Sequence, residues 1–301
     1  MADTGPSTIL VTGAAGNLGG KLVSHLVGLP WVRKIYCLDV RPMTGGVYDS
    51  SKVAAIVADL GDANDQRWCE AAEKADAIVH FAVRNPSPTG DWNDAVIAVD
   101  MTANLLNHAN GTSCRFVYAS SNHAMGGYKN LDLSSIGKLS SKTPPLPGTP
   151  MWMPSGYVAP NMYGGSKLVG ERLIRAKAIA SAGTFTGVAL RIGWCLSDDD
   201  GPERIGRDGP AVAGSARQSP EDYARDTTWY RNMWLSRGDF TAEFTAALTA
   251  DANRWPEPGI VVNAMSGNRG MVWDMDEARD WLGHIPKDDV WTALGIDPPR
   301  Q

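Results

Sequence analysis

Residues 9–20 read Ile-Leu-Val-Thr-Gly-Ala-Ala-Gly-Asn-Leu-Gly-Gly, and this stretch decides the fold. An apolar run meets glycines spaced three apart and a helix-like segment follows, which predicts a strand, a tight turn and the start of a helix. Such glycines let the chain turn sharply, let the backbone approach a pyrophosphate, and let the helix pack on the strand. A glycine triplet can also be an ordinary turn, but its place at the first strand–helix junction favours a dinucleotide site. The residues expected to line that site are Gly13, Gly16, Asn17, Leu18 and Gly19.

The composition is typical of a globular protein with a large core. The chain has 301 residues, of which 43% are hydrophobic and 20% are charged, and its net charge is −5. The negative balance and the scattered Lys and Arg residues argue against nucleic-acid and membrane-surface partners. No apolar run approaches the ~20 residues that span a bilayer, and the N-terminus lacks the pattern of a signal peptide. We therefore expect a cytoplasmic location.

The four cysteines are far apart and show no CxxC spacing. They are Cys37, Cys69, Cys114 and Cys195. We expect buried thiols in a reducing cytosol rather than disulfides. Because His and Cys residues are not clustered at the spacing of metal ligands, we expect no metal site.

Short apolar runs alternate with helix-like segments along the chain. The candidate strands are 8–12, 34–38, 53–57, 77–81, 115–119, 186–192 and 260–264, and the candidate helices lie near 18–27, 64–74, 92–109 and 161–182. This alternation predicts βαβ units and an α/β fold, a Rossmann-type doubly wound parallel sheet that is covered on both faces.

We expect one structural unit over residues 1–301. Residues 1–185 would form mainly the cofactor-binding core, and residues 186–301 would add core strands and a small C-terminal substrate-binding lobe. Residues 129–160 and 197–224 are polar stretches that interrupt the alternation, and the first of them indicates an inserted loop. Both follow predicted strands, so both could border a ligand site. The tail, near residues 272–294, is predicted to be helical.

Two acidic residues stand at strand ends where a cofactor could meet them. Asp39 closes the second predicted strand, 20 residues after Gly19, and could accept hydrogen bonds from an adenosine ribose, although an acidic strand-end turn is the simpler alternative. This position favours NAD over NADP, while the nearby Arg41 could bind the extra phosphate of NADP. Asp59, which precedes Leu60, could meet the adenine amino group or could cap a helix.

Tyr163 and Lys167 begin a predicted helix in the sequence Tyr-Gly-Gly-Ser-Lys. The spacing of four residues puts both side chains on one face. Tyrosine acts as a general base near neutral pH only when its pKa is lowered, and a nearby ammonium would lower it. Lys167 could also hold a ribose. Tyr48 and Lys52 have the same spacing, but no serine-bearing strand end precedes them, so we interpret that pair as coincidence.

The segment Ser120-Ser121-Asn122-His123 follows the predicted strand 115–119. A serine at that strand end can donate a hydrogen bond to a reacting oxygen beside the tyrosine, although a strand-end cap or turn is the alternative for each residue. His123 alone would more often be structural. The order of glycine turn, Asp39, serine and Tyr/Lys pair is more specific than any one of its parts.

These motifs together resemble the extended short-chain dehydrogenase/reductase superfamily, which includes the NAD-dependent epimerases and dehydratases. The resemblance spans most of the first 195 residues. It rests on Thr12-Gly13-x-x-Gly16-x-x-Gly19, Asp59-Leu60, Val79-His80-Phe81-Ala82, Ser120-Ser121 and Tyr163-x-x-x-Lys167. Within the superfamily, the segment 119–123, Leu190-Arg191-Ile192-Gly193 and the segment 234–240 resemble the uronate dehydrogenase group.

The resemblance implies NAD-dependent oxidation of the anomeric carbon of a sugar to a lactone. It implies that Ser121 and Tyr163 are catalytic, that Lys167 assists, and that Asn122 and His123 touch sugar hydroxyls. We also expect Ala82 in the cofactor site and Asn85 in the substrate site.

The chain departs from the uronate dehydrogenase group at three points. Tyr163 follows Ser121 by 42 positions, which is long for the superfamily, and Trp194 stands where that group has a serine. Trp229 stands at the position where that group has its carboxylate-binding arginine, and Arg225 or Arg231 could substitute for that arginine. Trp194 and Trp229 could stack on a sugar ring or pack in the core. Sulfonated or phosphorylated sugars are therefore alternatives to uronates.

Two other functions stay open at this point. One is a nucleotide-sugar epimerase or dehydratase that returns the hydride to its substrate, and the other is a non-catalytic protein that senses the cofactor. The Ser-Asn-His segment argues against the first, and the retained Tyr/Lys pair argues against the second. Related enzymes often form homo-oligomers through helices, for which 92–109 and 161–182 are the candidates.

Overall fold

A computed structural model describes residues 4–84, 90–109, 113–135, 137–153, 156–159, 161–197, 201–205 and 219–299. Its centre is a seven-stranded sheet in which every neighbouring pair of strands is parallel. The strands are β1 (Thr8–Thr12), β2 (Lys34–Asp39), β3 (Val53–Val57), β4 (Ala77–His80), β5 (Cys114–Ser121), β8 (Phe185–Ile192) and β9 (Gly259–Ala264).

The strand order in the sheet is β9-β8-β5-β4-β1-β2-β3, so the order reverses between β1 and β4. The carboxyl ends of the strands at such a reversal leave a crevice for a ligand. The predicted α/β fold with a doubly wound parallel sheet is thereby confirmed. A separate antiparallel pair, β6 (Met151–Met153) and β7 (Gly156–Val158), lies within the predicted inserted loop.

Helices cover both faces of the sheet. They are α1 (Asn17–Val27), α2 (Gln66–Lys74), α3 (Trp92–His108), α4 (Met162–Ala180) and α6 (Arg237–Thr249). Two other helices, α5 (Pro220–Asn232) and α7 (Val290–Leu294), are outside these two layers. One apolar cluster packs α1 and α6 on the sheet, and a second packs α2, α3 and α4 on the opposite face. A third cluster, rich in Met and Trp, joins the long loop to α5 and the C-terminal part of the chain.

The inserted loop is tied to α5 by a buried ion pair. Lys129 Nζ lies 2.9 Å from Asp226 Oδ2, both side chains are buried, and Lys129 also donates to the carbonyl of Pro150 at 2.7 Å. Because both charges are out of water, each depends on the other for its stability. The described part of the loop thus has fixed contacts with the lobe.

The tail near residues 272–294, which the sequence predicts to be helical, is helical only in part. The structure has a π-helical turn at Ala278–Leu282 and the short helix α7, with non-helical chain between them. Gly283 takes a φ of +74°, which ends the first turn in the left-handed conformation that glycine adopts readily. Among the described residues, no helix has the length and apolar character that a membrane span requires.

Candidate active site

The glycine turn forms one wall of a crevice at the reversal of strand order. Gly13 takes a φ of +66°, and a Cβ there would lie 2.9 Å from the backbone nitrogen of Ala82, so a side chain is excluded by both conformation and space. Helix α1 starts four residues later with its free N–H groups turned toward the crevice. The backbone is therefore shaped to take a phosphate group against it.

A cavity of about 840 Å³ opens at this crevice. Its lining contains all the residues that the sequence predicts to bind a cofactor: Gly13, Gly16, Asn17, Leu18, Gly19, Asp39, Asp59, Leu60, Ala82, Tyr163 and Lys167. The lining also includes Arg41 and Arg84, which bring positive charge to it. The glycine cradle, the terminal acidic residue of β2 and this volume together fit an extended dinucleotide.

Asp39 connects the glycine turn to the next loop. Its Oδ2 accepts a hydrogen bond from the backbone nitrogen of Ala15 at 3.0 Å, and its Oδ1 accepts from Arg41 N at 3.0 Å and Arg41 Nε at 3.2 Å. The carboxylate thus braces the turn and holds the Arg41 guanidinium. A ribose at this point would meet the carboxylate, and a ribose phosphate would be repelled by it.

The structure gives the partners of Asp59 and of the Tyr48/Lys52 pair. Asp59 Oδ1 accepts from the backbone nitrogen of Gly61 at 2.8 Å, and Asp65, not Asp59, caps α2. The adenine contact of Asp59 stays a prediction, while the helix-cap alternative is wrong. Tyr48 donates to the carbonyl of Ala14, and Lys52 donates to backbone carbonyls at the end of α1, so this pair supports the fold.

Tyr163 and Lys167 lie on consecutive turns of α4, and both line the cavity. A hydrogen bond joins Tyr163 to Ser121, the last residue of β5. Ser121 Oγ also accepts from the backbone nitrogen of His123 at 3.1 Å. The residues expected to carry the chemistry therefore stand together at the point where β5 ends and α4 begins.

Burial shifts the pKa values of both Tyr163 and Lys167. For Tyr163 the shift is upward, whereas the sequence suggests a lowered pKa. Burial raises the pKa of Tyr163 to about 12, while the hydrogen bond with Ser121 acts to lower it. Burial lowers the pKa of Lys167 to about 7, and the carboxylate of Glu171 opposes this. Desolvation disfavours both charged forms, and the group that acts to lower the pKa of Tyr163 is Ser121 rather than the expected ammonium of Lys167.

Glu171 extends the polar face of α4 by one further turn. Its Oε1 accepts from Ser120 Oγ at 2.5 Å and from Arg191 Nε at 2.9 Å, and its Oε2 pairs with Arg191 Nη2 at 2.9 Å. All three side chains are buried. This network joins β5 and β8 to α4, one helical turn after Lys167.

His123 stands between the tyrosine and Trp194. Its ring centroid is 5.8 Å from that of Tyr163, edge on, and 6.4 Å from that of Trp194. The Nδ1 atom of His123 lies 2.6 Å from Thr149 Oγ1, so the position of the ring is set by the inserted loop. Burial lowers the pKa of His123 to about 4, and the imidazole is therefore neutral at physiological pH.

Three predicted substrate contacts, Trp229, Arg231 and Asn122, have partners outside the catalytic group. Trp229 is only 8% exposed and packs on Trp273 at 4.7 Å, so its indole belongs to the core. Arg231 Nε donates to the carbonyl of Ile205, and its guanidinium lies 6.0 Å from the ring of Trp291. Asn122 is buried and donates to the carbonyl of Ile192 at 2.9 Å. Asn85 lies outside the described residues.

Asn17 has a contact that its sequence position did not suggest. Its Nδ2 donates to the carbonyls of Cys195 at 3.1 Å and Leu196 at 3.4 Å. The glycine turn is thus linked to the segment that carries Trp194. Within the described chain, no group of three or more His, Cys, Asp or Glu side chains could hold a metal ion.

Sequence reasoning missed Thr149 and Glu171. Thr149 comes from a loop 26 residues away from His123, and no local pattern points to it. Glu171, in contrast, continues the spacing of four residues that connects Tyr163 with Lys167, and that signal could have found it.

Comparisons with known proteins agree with this geometry. The model of the NAD dependent epimerase/dehydratase family matches residues 9–221. A relative, the NAD-dependent glucose-6-phosphate dehydrogenase of Haloferax volcanii, is 28% identical over 287 residues, which are 93% of this chain and 93% of that protein.

Two solved structures share the fold with a TM-score of 0.67 each. One is a mutated uronate dehydrogenase, which is 23% identical and aligns over 96% of this chain and 85% of its own. The other is the glucuronic acid dehydrogenase of Chromohalobacter salexigens, which is 24% identical and aligns over 96% of this chain and 88% of its own.

Proposed function

Because the chain belongs to the NAD dependent epimerase/dehydratase family, we propose that it oxidises the anomeric C1 hydroxyl of a free sugar or sugar acid to a lactone, with NAD as the hydride acceptor. The observation that carries the proposal is that Tyr163, which lines the dinucleotide cavity, is in contact with both Ser121 and His123. The similarity of the whole chain to a glucose-6-phosphate dehydrogenase supports net oxidation of a sugar.

The residues of the chain have separate roles in this reaction. Gly13, Gly16 and the N-terminus of α1 hold the pyrophosphate, and Asp39 holds the adenosine ribose. NAD supplies the hydride acceptor. Tyr163, as the phenolate, removes the proton of the C1 hydroxyl while the C1–H bond gives up its hydride, so that the C1–O bond becomes the lactone carbonyl and Tyr163 is protonated. The hydroxyl of Ser121 donates a hydrogen bond to the reacting oxygen.

Lys167 has two tasks. As an ammonium it favours the phenolate of Tyr163 electrostatically, and it donates to the nicotinamide ribose from the same position. Both tasks need the charged form, while burial favours the neutral one. The activity should therefore depend on how well the surroundings of Lys167 retain its proton.

The sugar would lie against His123 and Trp194. The neutral imidazole presents its Nε2 edge to a hydroxyl, since Nδ1 is engaged by Thr149. The half-buried indole offers an apolar face to a pyranose ring. A uronate, a sulfonated sugar and a sugar phosphate are the anionic candidates, and the rates of NADH formation with each of them would separate these candidates.

Isotope transfer tests the chemistry. A sugar carrying deuterium at C1 should pass it to NADH and should be oxidised more slowly than the unlabelled sugar, with a lactone as the product. An epimerase that recycles its hydride would produce no net deuterated NADH. Either that outcome or deuterium retained in the sugar product would reject the lactone-forming reaction.

A homo-oligomer through α3 and α4 is a second proposal, on the assembly. These helices pack against each other and carry exposed apolar side chains, among them Trp92 at 71% and Ile179 at 58% exposure. Light scattering that shows only monomer at high concentration would reject it.

A further inference from the structure

The surroundings of Lys167 hold a feature that the reaction scheme does not use. The side chain is 3% exposed, and its Nζ lies 4.8 Å from the centroid of the Tyr118 ring, closer than the 5.6 Å to the ring of Tyr163. No ion pair joins Lys167 to a carboxylate within the part of the chain that the structure describes, and the Glu171 carboxylate is paired with Arg191. The ammonium therefore lies against an aromatic face and forms no ion pair with a carboxylate of the described residues.

The Tyr118 ring is fixed in this position from several sides. It lies in β5 against the His80 ring of β4, with ring centroids 5.7 Å apart and planes inclined by 31°. On the α4 side, a Cβ at Gly170 would lie 2.5 Å from the Tyr118 hydroxyl oxygen and 2.6 Å from its Cζ. Helix α4 can pack here only because residue 170 has no side chain, so the contact between ring and ammonium is built into the fold.

The ionisable groups that face Lys167 come from three elements. On α4 these are Tyr163 and Glu171, and the Glu171 carboxylate is neutralised by Arg191 of β8. On β4, His80 is uncharged, because burial lowers its pKa to about 3 and the Lys167 charge acts in the same direction. On β5 there is Tyr118 itself. The face of an aromatic ring carries negative potential and attracts a desolvated cation.

We propose that Tyr118 is a positioning residue whose ring face keeps Lys167 in its charged form and holds the ammonium below Tyr163. The proposal rests on the proposed function, since it concerns the lysine that supports the catalytic tyrosine. It adds that the charge of Lys167 is maintained by a ring quadrupole as well as by Glu171. Above the pKa of Lys167, the phenolate of Tyr163 and the ribose would lose this support, and activity would fall.

The test changes the negative potential of the ring face at position 118 while it keeps the shape of the ring. Phenylalanine and singly, doubly and triply fluorinated phenylalanines are introduced at position 118, because fluorine withdraws electron density from the ring face. The pKa of Lys167 is read by NMR titration of protein labelled at lysine Cε, and the Lys167 signal is the one that disappears in Lys167→Met. Tyr118→Met fills the site without a ring. Circular dichroism and thermal unfolding check that each variant is folded.

The proposal expects a graded result. Tyr118→Phe should keep the pKa of Lys167 near its value in the unmodified protein. The fluorinated phenylalanines should lower this pKa stepwise, by about one pKa unit for the triply fluorinated ring. The pH above which kcat declines should move down in parallel. A pKa that stays constant across the fluorinated series overturns the proposal, and this series decides the question even when Tyr118→Met does not fold.

The outcome for the proposed function is read separately. If the unmodified protein forms no NADH with any sugar while the pKa of Lys167 follows the ring series, the lactone-forming function fails and the role of Tyr118 stands. If NADH forms and the pKa does not follow the series, the function stands and the role of Tyr118 fails.

Discussion

The ring of His123 meets the ring of Tyr163 edge on, with the centroids 5.8 Å apart. The two residues come from different elements, the segment after β5 and the first turn of α4, and the contact brings a hydrogen-bonding imidazole beside the proposed base. Thr149 holds Nδ1 of His123 at 2.6 Å, so Nε2 is the atom left for a substrate hydroxyl. Through Thr149, the inserted loop contacts His123, a proposed substrate-binding residue.

Thr149→Val should impair recognition of the sugar and leave NAD binding intact. Valine keeps the shape of threonine but removes the oxygen that holds His123, and the loss of one buried hydrogen bond corresponds to about a tenfold increase in KM for the sugar. Thr149→Ser keeps the oxygen and is the matched control. Steady-state kinetics with NAD and sugar varied independently would show the effect, and equal KM values in the two variants would argue against this role of Thr149.

Tyr163→Phe should abolish turnover while the protein still binds NAD. The phenyl ring fills the same space but cannot accept the C1 hydroxyl proton, and general-base catalysis contributes about 10²–10⁴-fold to a rate. Calorimetric titration measures the binding and NADH absorbance measures the rate. Tyr36→Phe, in β2 and away from the cavity lining, is the control. Near-normal turnover of the Tyr163 variant would refute the assignment.

Asp39→Asn should shift the cofactor preference toward NADP. The amide oxygen can still accept from the nitrogen of Ala15, but the negative charge that repels the phosphate is gone and Arg41 is no longer paired with it. We expect the ratio of the kcat/KM values for NADP and NAD to increase about tenfold to hundredfold. Adding Arg41→Ala should reverse the gain. An unchanged ratio of these kcat/KM values in the single variant would show that Asp39 does not discriminate between the two cofactors at the ribose.

Trp194 and Trp229 should respond differently to truncation. Trp229→Ala should lower the free energy of unfolding by about 3–5 kcal/mol, because it removes a core indole that packs on Trp273. Trp194→Ala should mainly raise the KM for the sugar, by about tenfold, because the half-buried indole faces His123. Chemical denaturation and kinetics on both variants separate the two effects. The opposite pattern would indicate that Trp229, rather than Trp194, contacts the substrate.

The buried His80 should make the protein less stable in acid. Its pKa is lowered to about 3 in the folded state, first by burial and then by Lys167, whereas an unfolded histidine titrates near 6.5. The unfolded state therefore binds the proton first, and stability that is complete above pH 6.5 falls as the pH decreases toward 3. The contribution lost at pH 5 is about 2 kcal/mol. Denaturation at pH 7.5 and 5 should show a smaller loss in His80→Asn, and an equal loss would contradict this origin.

The sheet could be predicted from the sequence because its strands are buried on both faces and therefore appear as continuous apolar runs. The predicted strand 115–119 extends in the structure to Cys114–Ser121, which places Ser121 at the strand end. The glycine turn and the Tyr163/Lys167 pair were visible because local backbone geometry and helical spacing leave a pattern in the sequence.

Other parts of the site leave no such pattern. Thr149 reaches His123 through the folding of a long loop, and the placement of Trp229 depends on the packing of α5 against Trp273. Burial decides the pKa values of Tyr163 and Lys167, and burial is a property of the assembled fold rather than of spacing. The predicted helical tail near 272–294 is interrupted at Gly283, which ends the π-helical turn and is a common helix-ending residue.

The most direct test is NADH formation from NAD by the purified protein against free aldoses, hexuronates, sulfoquinovose and sugar phosphates, with NADP in parallel and Tyr163→Phe as the control. We expect steady NADH production with at least one of these sugars, a lactone product, and no rate in the variant. Bound NAD with no net NADH from any of them, together with epimerisation of a nucleotide sugar, would contradict this expectation.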